Sequence, residues 1–214
     1  DCTGKAANCL YPHEKKITDQ KELVEAIAQD QVFAKYKDSY RSIDNFISAS
    51  VIPLDCDNDH TEKSEEWLTA DKLTEIFEDM QFVLIPSRNH MREKNGKAAR
   101  PKYHILFPVA EYTDPTLYAA VKSAIQKKYS FFDDNAVDAA RFFFGTSCTE
   151  EDVVWHDGFL QIDEDLDETD MLEQEEIAMP IYMGGSITEG SRNNTMSHYA
   201  GRVLKKFGIT DKAR

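Results

Sequence analysis

The stretch Ile47-Ser48-Ala49-Ser50-Val51-Ile52-Pro53-Leu54-Asp55-Cys56-Asp57 reads as a strand that ends on two carboxylates. Side chains at i and i+2 of a strand share a face, so Asp55 and Asp57 project together while Cys56 turns the other way, toward the core. Two anions so placed repel each other unless a cation sits between them. Carboxylate oxygens are hard ligands, and one or two of them with room left for water and phosphates suit Mg²⁺ or Mn²⁺. Asp57-Asn58-Asp59 is also good turn chemistry, and the cluster by itself leaves a metal site and a solvated turn both open. Pro53 cannot donate to a ladder, so the strand is expected to bulge there or to have a free side.

Working outward, residues 19–34 carry Leu23, Val24, Ile27 and Val32 near helical spacing after a Thr18-Asp19 start. A second helix is expected over 69–80, capped by Thr69, with Leu73, Ile76, Phe77 and Met80 on one face. Residues 82–86 and 103–109 read as strands joined by a polar, basic loop, and 115–129 as a helix with Leu117, Val121, Ala124 and Ile125 on its apolar side. Strand character returns over 137–145 and 153–162, and the acidic run 163–176 reads as a linker or a solvated helix. Helices and strands alternate without a strict parallel repeat, which predicts an α+β fold.

The chain has 214 residues, 41% of them hydrophobic and 30% charged, enough for one domain of ordinary size or one with a small appendage. No apolar stretch approaches the roughly 20 residues that span a bilayer, and no signal peptide is evident. The opening Asp1-Cys2-Thr3-Gly4 suggests a fragment or a processed chain. Four cysteines form no dense framework, which points to a reducing, cytoplasmic setting. Cys2 and Cys9 with His13 match no common zinc spacing, and free thiols are the expectation. The net charge of −14 argues against charge-driven binding to nucleic acid over the whole surface. Between Arg88 and Lys102, however, Arg88, Arg92, Lys94, Lys97, Arg100 and Lys102 stand against the single acid Glu93, a local cationic segment in an anionic background.

Three further features surround the acidic pair. His104 sits at the start of a strand, where a backbone partner would equally satisfy its ring. Asp138 precedes Arg141-Phe142-Phe143-Phe144-Gly145, and an acid and an arginine three residues apart either pair with each other or serve a site. A carboxylate pair, a third carboxylate, a histidine and an arginine together are the parts needed to bind a metal–triphosphate complex.

Leu54-Asp55-Cys56-Asp57, Lys102-Tyr103-His104-Ile105-Leu106-Phe107-Pro108 and Val137-Asp138-Ala139-Ala140-Arg141-Phe142 stand in the order and spacing of the three motifs of the archaeo-eukaryotic primase superfamily. Over residues 45–145 the chain resembles the primase-polymerase domains of phage and mobile-element replication proteins. It departs from them in having Lys102 where a serine usually precedes the histidine; Ser87 takes that part across an inserted loop, or Lys102 contacts phosphate instead. The segment 187–195 resembles the opening of the small helical domain that follows such cores.

The resemblance implies an RRM-like antiparallel sheet with flanking helices over residues 1–178 and a helical segment over 179–214. It implies a DNA primase or polymerase acting in a bacterial host cell, with two Mg²⁺ or Mn²⁺ ions, no organic cofactor, NTP or dNTP substrates, a single-stranded DNA template and a helicase domain or subunit as partner. Asp55, Asp57 and Asp138 would hold the ions, and His104, Arg141, Lys102 and Ser87 the nucleotide. Arg88, Arg92, Lys94, Lys97 and Arg100 would face DNA. A replication-initiator nuclease and a silent DNA-binding module that loads a helicase are the alternatives.

Overall fold

The structure, a computed structural model, describes residues 6–93, 96–166 and 170; the expected helical segment over 179–214 and Lys94 lie outside them. The described chain is α+β, with three α-helices and mainly antiparallel sheet. Its elements are α1 (Gln20–Ile27), β1 (Gln31–Val32), β2 (Lys35–Tyr36), β3 (Phe46–Cys56), α2 (Ala70–Ile76), β4 (Phe82–Pro86), β5 (Tyr103–Tyr112), α3 (Pro115–Lys128), β6 (Phe142–Phe143) and β7 (Val154–His156).

Each helix starts where its cap predicts. The Asp19 carboxylate accepts from Glu22 N–H, Thr69 Oγ1 from Lys72 N–H, and Asp114 from the amides of Thr116 and Leu117 ahead of Pro115. α1 ends at Ile27, well before the expected residue 34, because the chain turns there into β1, which pairs with β6.

A five-stranded antiparallel sheet runs in the order β2-β3-β5-β4-β7. β5 lies between β3 and β4, so β3, α2 and β4 form a split βαβ unit. The β3–β5 register sets Leu54 against Ile105, Asp55 against His104 and Cys56 against Tyr103. β2 covers only the start of β3. Beyond it, the carbonyls of Val51 and Asp55 accept from Tyr118 Oη and Asp133 N–H rather than from a strand. Pro53 shares their parity, so its missing N–H falls on this uncovered edge, and the expected free side of the strand is what permits it.

Alternation along the strands divides the core. Val83, Ile85 and Leu106 pack with Leu23 and Ile27 of α1 on one face. The other face carries Leu54, Leu84, Ile105 and Phe107, and Phe77 stands edge-on to Phe82, Phe107 and Tyr129 and stacked on Phe132.

Two expected strands are shorter than their apolar patterns suggest. Only Phe142–Phe143 of 137–145 is strand, because Asp138 folds back onto the Ala140 amide. Only Val154–His156 of 153–162 is strand. The start of the acidic run is docked rather than solvated: Asp163 is buried and accepts from Tyr112 Oη at 2.5 Å, and Asp165 accepts from Tyr129 Oη at 2.7 Å and pairs with Lys128.

Gly145 closes the junction between α1 and β6. A Cβ there would lie 2.5 Å from the Ala28 carbonyl oxygen, on backbone that cannot swing aside. Gly145→Ala is expected to cost about 1–3 kcal/mol, read as a lower urea midpoint at unchanged slope.

Candidate functional site

The end of β3 gathers charge from three distant segments. Asp55 is 4% exposed, and its side chain faces that of His104 across the ladder. His104 Nδ1 donates to Asp55 Oδ1, and Arg141 Nη2 donates to Oδ2 at 2.7 Å. The His104 ring stands edge-on to Phe143, which is buried, and Arg141 Nη1 reaches the Asn135 carbonyl. Burial alone would raise the Asp55 carboxyl, but the hydrogen bonds and charges of His104 and Arg141 outweigh it and hold the group below its ordinary value. Arg141 therefore pairs with Asp55 across the fold and not with Asp138, and His104 is satisfied by a carboxylate and not by backbone.

Asp57, one residue past β3, accepts from Lys102 Nζ at 2.8 Å. Lys102 is buried; its amide donates to His90 Nδ1, and its carbonyl accepts from Ser87 N–H. Ser87 and Lys102 are thus hydrogen-bonded neighbours just past the β4–β5 ladder. Cys56 faces the core, and burial pushes its thiol up to about 12, so it is an inert spacer. Asp57 also borders an open cleft of about 390 Å³ whose walls include Asp59, Asp133 and Asp134.

Asp138 uses its carboxylate locally and is held by its backbone. Its Oδ1 accepts from Ala140 N–H at 2.7 Å. The three successive carbonyls of Asp138, Ala139 and Ala140 accept from Lys122 Nζ, Tyr36 Oη and Arg41 Nη1 at 3.0, 2.8 and 2.8 Å. Lys122, Tyr36 and Arg41, which hold this turn by its carbonyls, were not singled out in the sequence. The available signal was Lys122 itself, a lysine among the apolar positions of α3. It is fully enclosed, and burial pushes its ammonium down to about 8 against the opposing charges of Asp138 and Asp55. Burial, with the Asp138 charge adding, likewise pushes the Tyr36 phenol upward, which keeps it a neutral donor.

The cationic segment divides. Arg100 is fully enclosed: it donates to the Asn58 carbonyl, pairs with Asp59 and Glu62, and lies over the Trp67 ring. It staples the 58–62 loop and offers nothing to DNA, which corrects the expectation that it faces DNA. Asn58, buried at φ 53, completes that staple through Leu68 and Pro101. Arg88, Arg92 and Lys97 are exposed; Lys97 meets Asp59 at 3.1 Å, and Arg88 lies over the Phe144 ring.

Among the described residues no three His, Cys, Asp or Glu side chains converge as a ready cation cage. The donor chemistry suits a hard divalent ion held by one or two carboxylates, with the remaining positions filled by water and substrate phosphates. Cys9 and Cys148 are free thiols, and Cys2 lies outside the described residues. No described helix is long and apolar enough to cross a membrane. Comparisons with protein-family profiles, with curated proteins and with solved structures give no match for this chain.

Two titrations test the electrostatics. The Asp55 carboxyl is lowered in the fold, so its contribution is complete above the unfolded value of about 3.9 and is lost as pH falls through the folded value. Asp55→Asn should cost about 3 kcal/mol near pH 7, and the gap to the parent protein should close below about pH 4 in urea titrations. For Lys122 the unfolded chain holds more protons between about 8 and 10.4, so stability rises with pH there. The stability of the parent protein relative to Lys122→Met should therefore increase from pH 8 to pH 10.

Proposed function

We propose that this chain is a nucleotidyltransferase of the primase-polymerase type, extending or starting chains on a single-stranded DNA template from NTP or dNTP. The observation that carries the reading is the convergence on Asp55. The three segments whose motifs resemble the archaeo-eukaryotic primase superfamily meet there, His104 and Arg141 on its two oxygens, with Asp57 and Lys102 alongside. The split βαβ unit and the sheet order β3-β5-β4 support the catalytic core expected for that superfamily. β6 pairs with β1 and not with β3, a departure from the simplest RRM-like order.

Asp55, Asp57 and Asp138 would hold Mg²⁺ or Mn²⁺, which when bound supplies charge neutralisation at the phosphates and a more acidic 3′-hydroxyl. The chain's own residues do the rest. Arg141, His104 and Lys102 are cations or hydrogen-bond donors now facing carboxylates, and phosphate oxygens of an incoming triphosphate can replace those partners one for one. Arg141 can present its planar fork to two phosphate oxygens, while Lys102 gives a point charge beside Asp57. The 3′-hydroxyl attacks the α-phosphate as the bond to pyrophosphate breaks in line, and the positive side chains meet the charge that leaves with pyrophosphate. Lys122, Tyr36 and Arg41 hold the Asp138 loop in place for this.

The test is incorporation of labelled nucleotides of each sugar type on primed and unprimed single-stranded DNA with Mg²⁺ or Mn²⁺. The parent protein should lengthen or start chains, and Asp55→Ala/Asp57→Ala should lose at least about 100-fold, the scale of a lost charge-stabilising group. Asp57→Ala alone should lose activity and also lower stability, because it leaves the buried Lys102 with only Asp59 at 3.7 Å, whereas Asp57→Asn should lose activity at a smaller cost in stability. Full activity in the double variant sinks the assignment, and cleavage of DNA without added nucleotide would favour a nuclease.

A further inference from the structure

Phe142 and Phe144, two residues apart, lie on the same face, with ring centroids 4.9 Å apart and both rings half-buried, while Phe143 turns inward against His104. The two rings meet edge to face at 81°, and an arginine lies over a face of each. The Arg88 guanidinium lies 3.9 Å from the Phe144 centroid and that of Arg41 lies 4.8 Å from Phe142. Arg41 is pinned by the carbonyls of Ala140, Ala6 and Asn8, so its charge stays beside the ring. Arg88 is exposed and makes no hydrogen bond or ion pair through its side chain among the described residues; its one contact of note is the ring beneath it. The stripe Arg88-Phe144-Phe142-Arg41 is tied to the 138–141 turn through Arg41, which donates to the Ala140 carbonyl, while Phe143 between the two rings faces His104.

We propose that this stripe is a stacking platform for the bases of single-stranded DNA, a step that rests on the nucleotidyltransferase reading. Nucleic acid is the occupant that the chemistry favours. Bases stack on aromatic faces and on guanidinium planes, and the same arginines neutralise the phosphates between them. In a chain of net charge −14, an exposed arginine spread over an aromatic ring is a local exception to the anionic background, and a polyanion with flat apolar rings is complementary to both halves of it. Two half-buried rings are too small a patch to dock an apolar protein surface. The platform gives no sequence code, since every base has a π-face, and it joins Arg88 of the basic segment to the Ala140 end of the 138–141 turn.

The experiment compares a labelled oligo-dT with an abasic oligonucleotide of equal length, by fluorescence anisotropy in EDTA so that divalent ions play no part. The parent protein should bind oligo-dT about tenfold more tightly than the abasic strand, the scale of stacking one base. Phe142→Leu/Phe144→Leu keeps the apolar bulk and should erase that preference. Arg88→Gln, a change at an exposed side chain, should weaken both strands severalfold and make the salt dependence shallower. Equal affinity of the parent for the two strands, binding of neither, or an unchanged preference in the leucine variant overturns the platform. Nucleotide incorporation is scored separately: a leucine variant that extends primers with unchanged oligo-dT preference removes the platform and keeps the enzyme, whereas a lost preference in a protein that never incorporates nucleotide keeps the platform and removes the enzyme.

Discussion

A buried carboxylate at the end of a central strand must be answered by positive charge, and the Asp55 end of the sheet is built around that requirement. Removing an anion from water costs several kcal/mol, and only close, well-directed partners repay it. Asp55 obtains them from His104 on the adjacent strand and from Arg141, 86 residues away in sequence. Satisfying Asp55 thus forces the 138–141 turn against β3. Lys122, Tyr36 and Arg41 then hold that turn by its carbonyls, and Phe143 closes over His104.

The elements that local rules govern were legible in the sequence. Phe82–Pro86, the starts of the three helices at Asp19, Thr69 and Pro115 and the free edge implied by Pro53 follow from periodicity, capping, helix-initial proline and the missing N–H of proline. What was not legible depends on partners far apart in the chain. Spacing alone allowed Arg141 to pair with Asp138, and only the fold hands it to Asp55. The apolar run at 137–145 has strand composition, yet the short polar side chain of Asp138 captures the Ala140 amide and leaves two residues of strand. Of the residues singled out in the sequence, the fold brings His104 and Arg141 onto Asp55 and Lys102 onto Asp57; Lys122, Tyr36 and Arg41 beneath them carried no motif.

The basic segment shows why a charge run is a poor guide to a surface. Its six cations look alike in sequence. Arg100 is spent on the 58–62 loop and Lys102 on Asp57, so their charges are internal, while Arg88, Arg92 and Lys97 remain outside. The difference is parity and position: Lys102 and Arg100 lead into β5 and follow its pleat inward, whereas Arg88 lies in the turn after β4. A groove drawn from all six would be placed too close to the sheet.

Buried ion pairs are weak contributors to stability, and apolar residues of similar volume often hold a fold as well or better. A sheet end that encloses Asp55, Lys102 and Lys122 and half-encloses His104, Arg141 and Asp138 is therefore an expensive way to make a core. The arrangement makes physical sense when each pair is one half of an exchange. Carboxylates and cations neutralise each other in the structure, and under the proposed nucleotidyltransferase reading each would be set free by a ligand that brings its own cations and anions together. Such a ligand must carry both charges in compact form, because a lone anion would leave Asp55 and Asp57 unpaired and a lone cation would strand Arg141 and Lys102. A divalent ion on a triphosphate meets that condition, and the same reasoning disfavours a site for simple anions on the same residues.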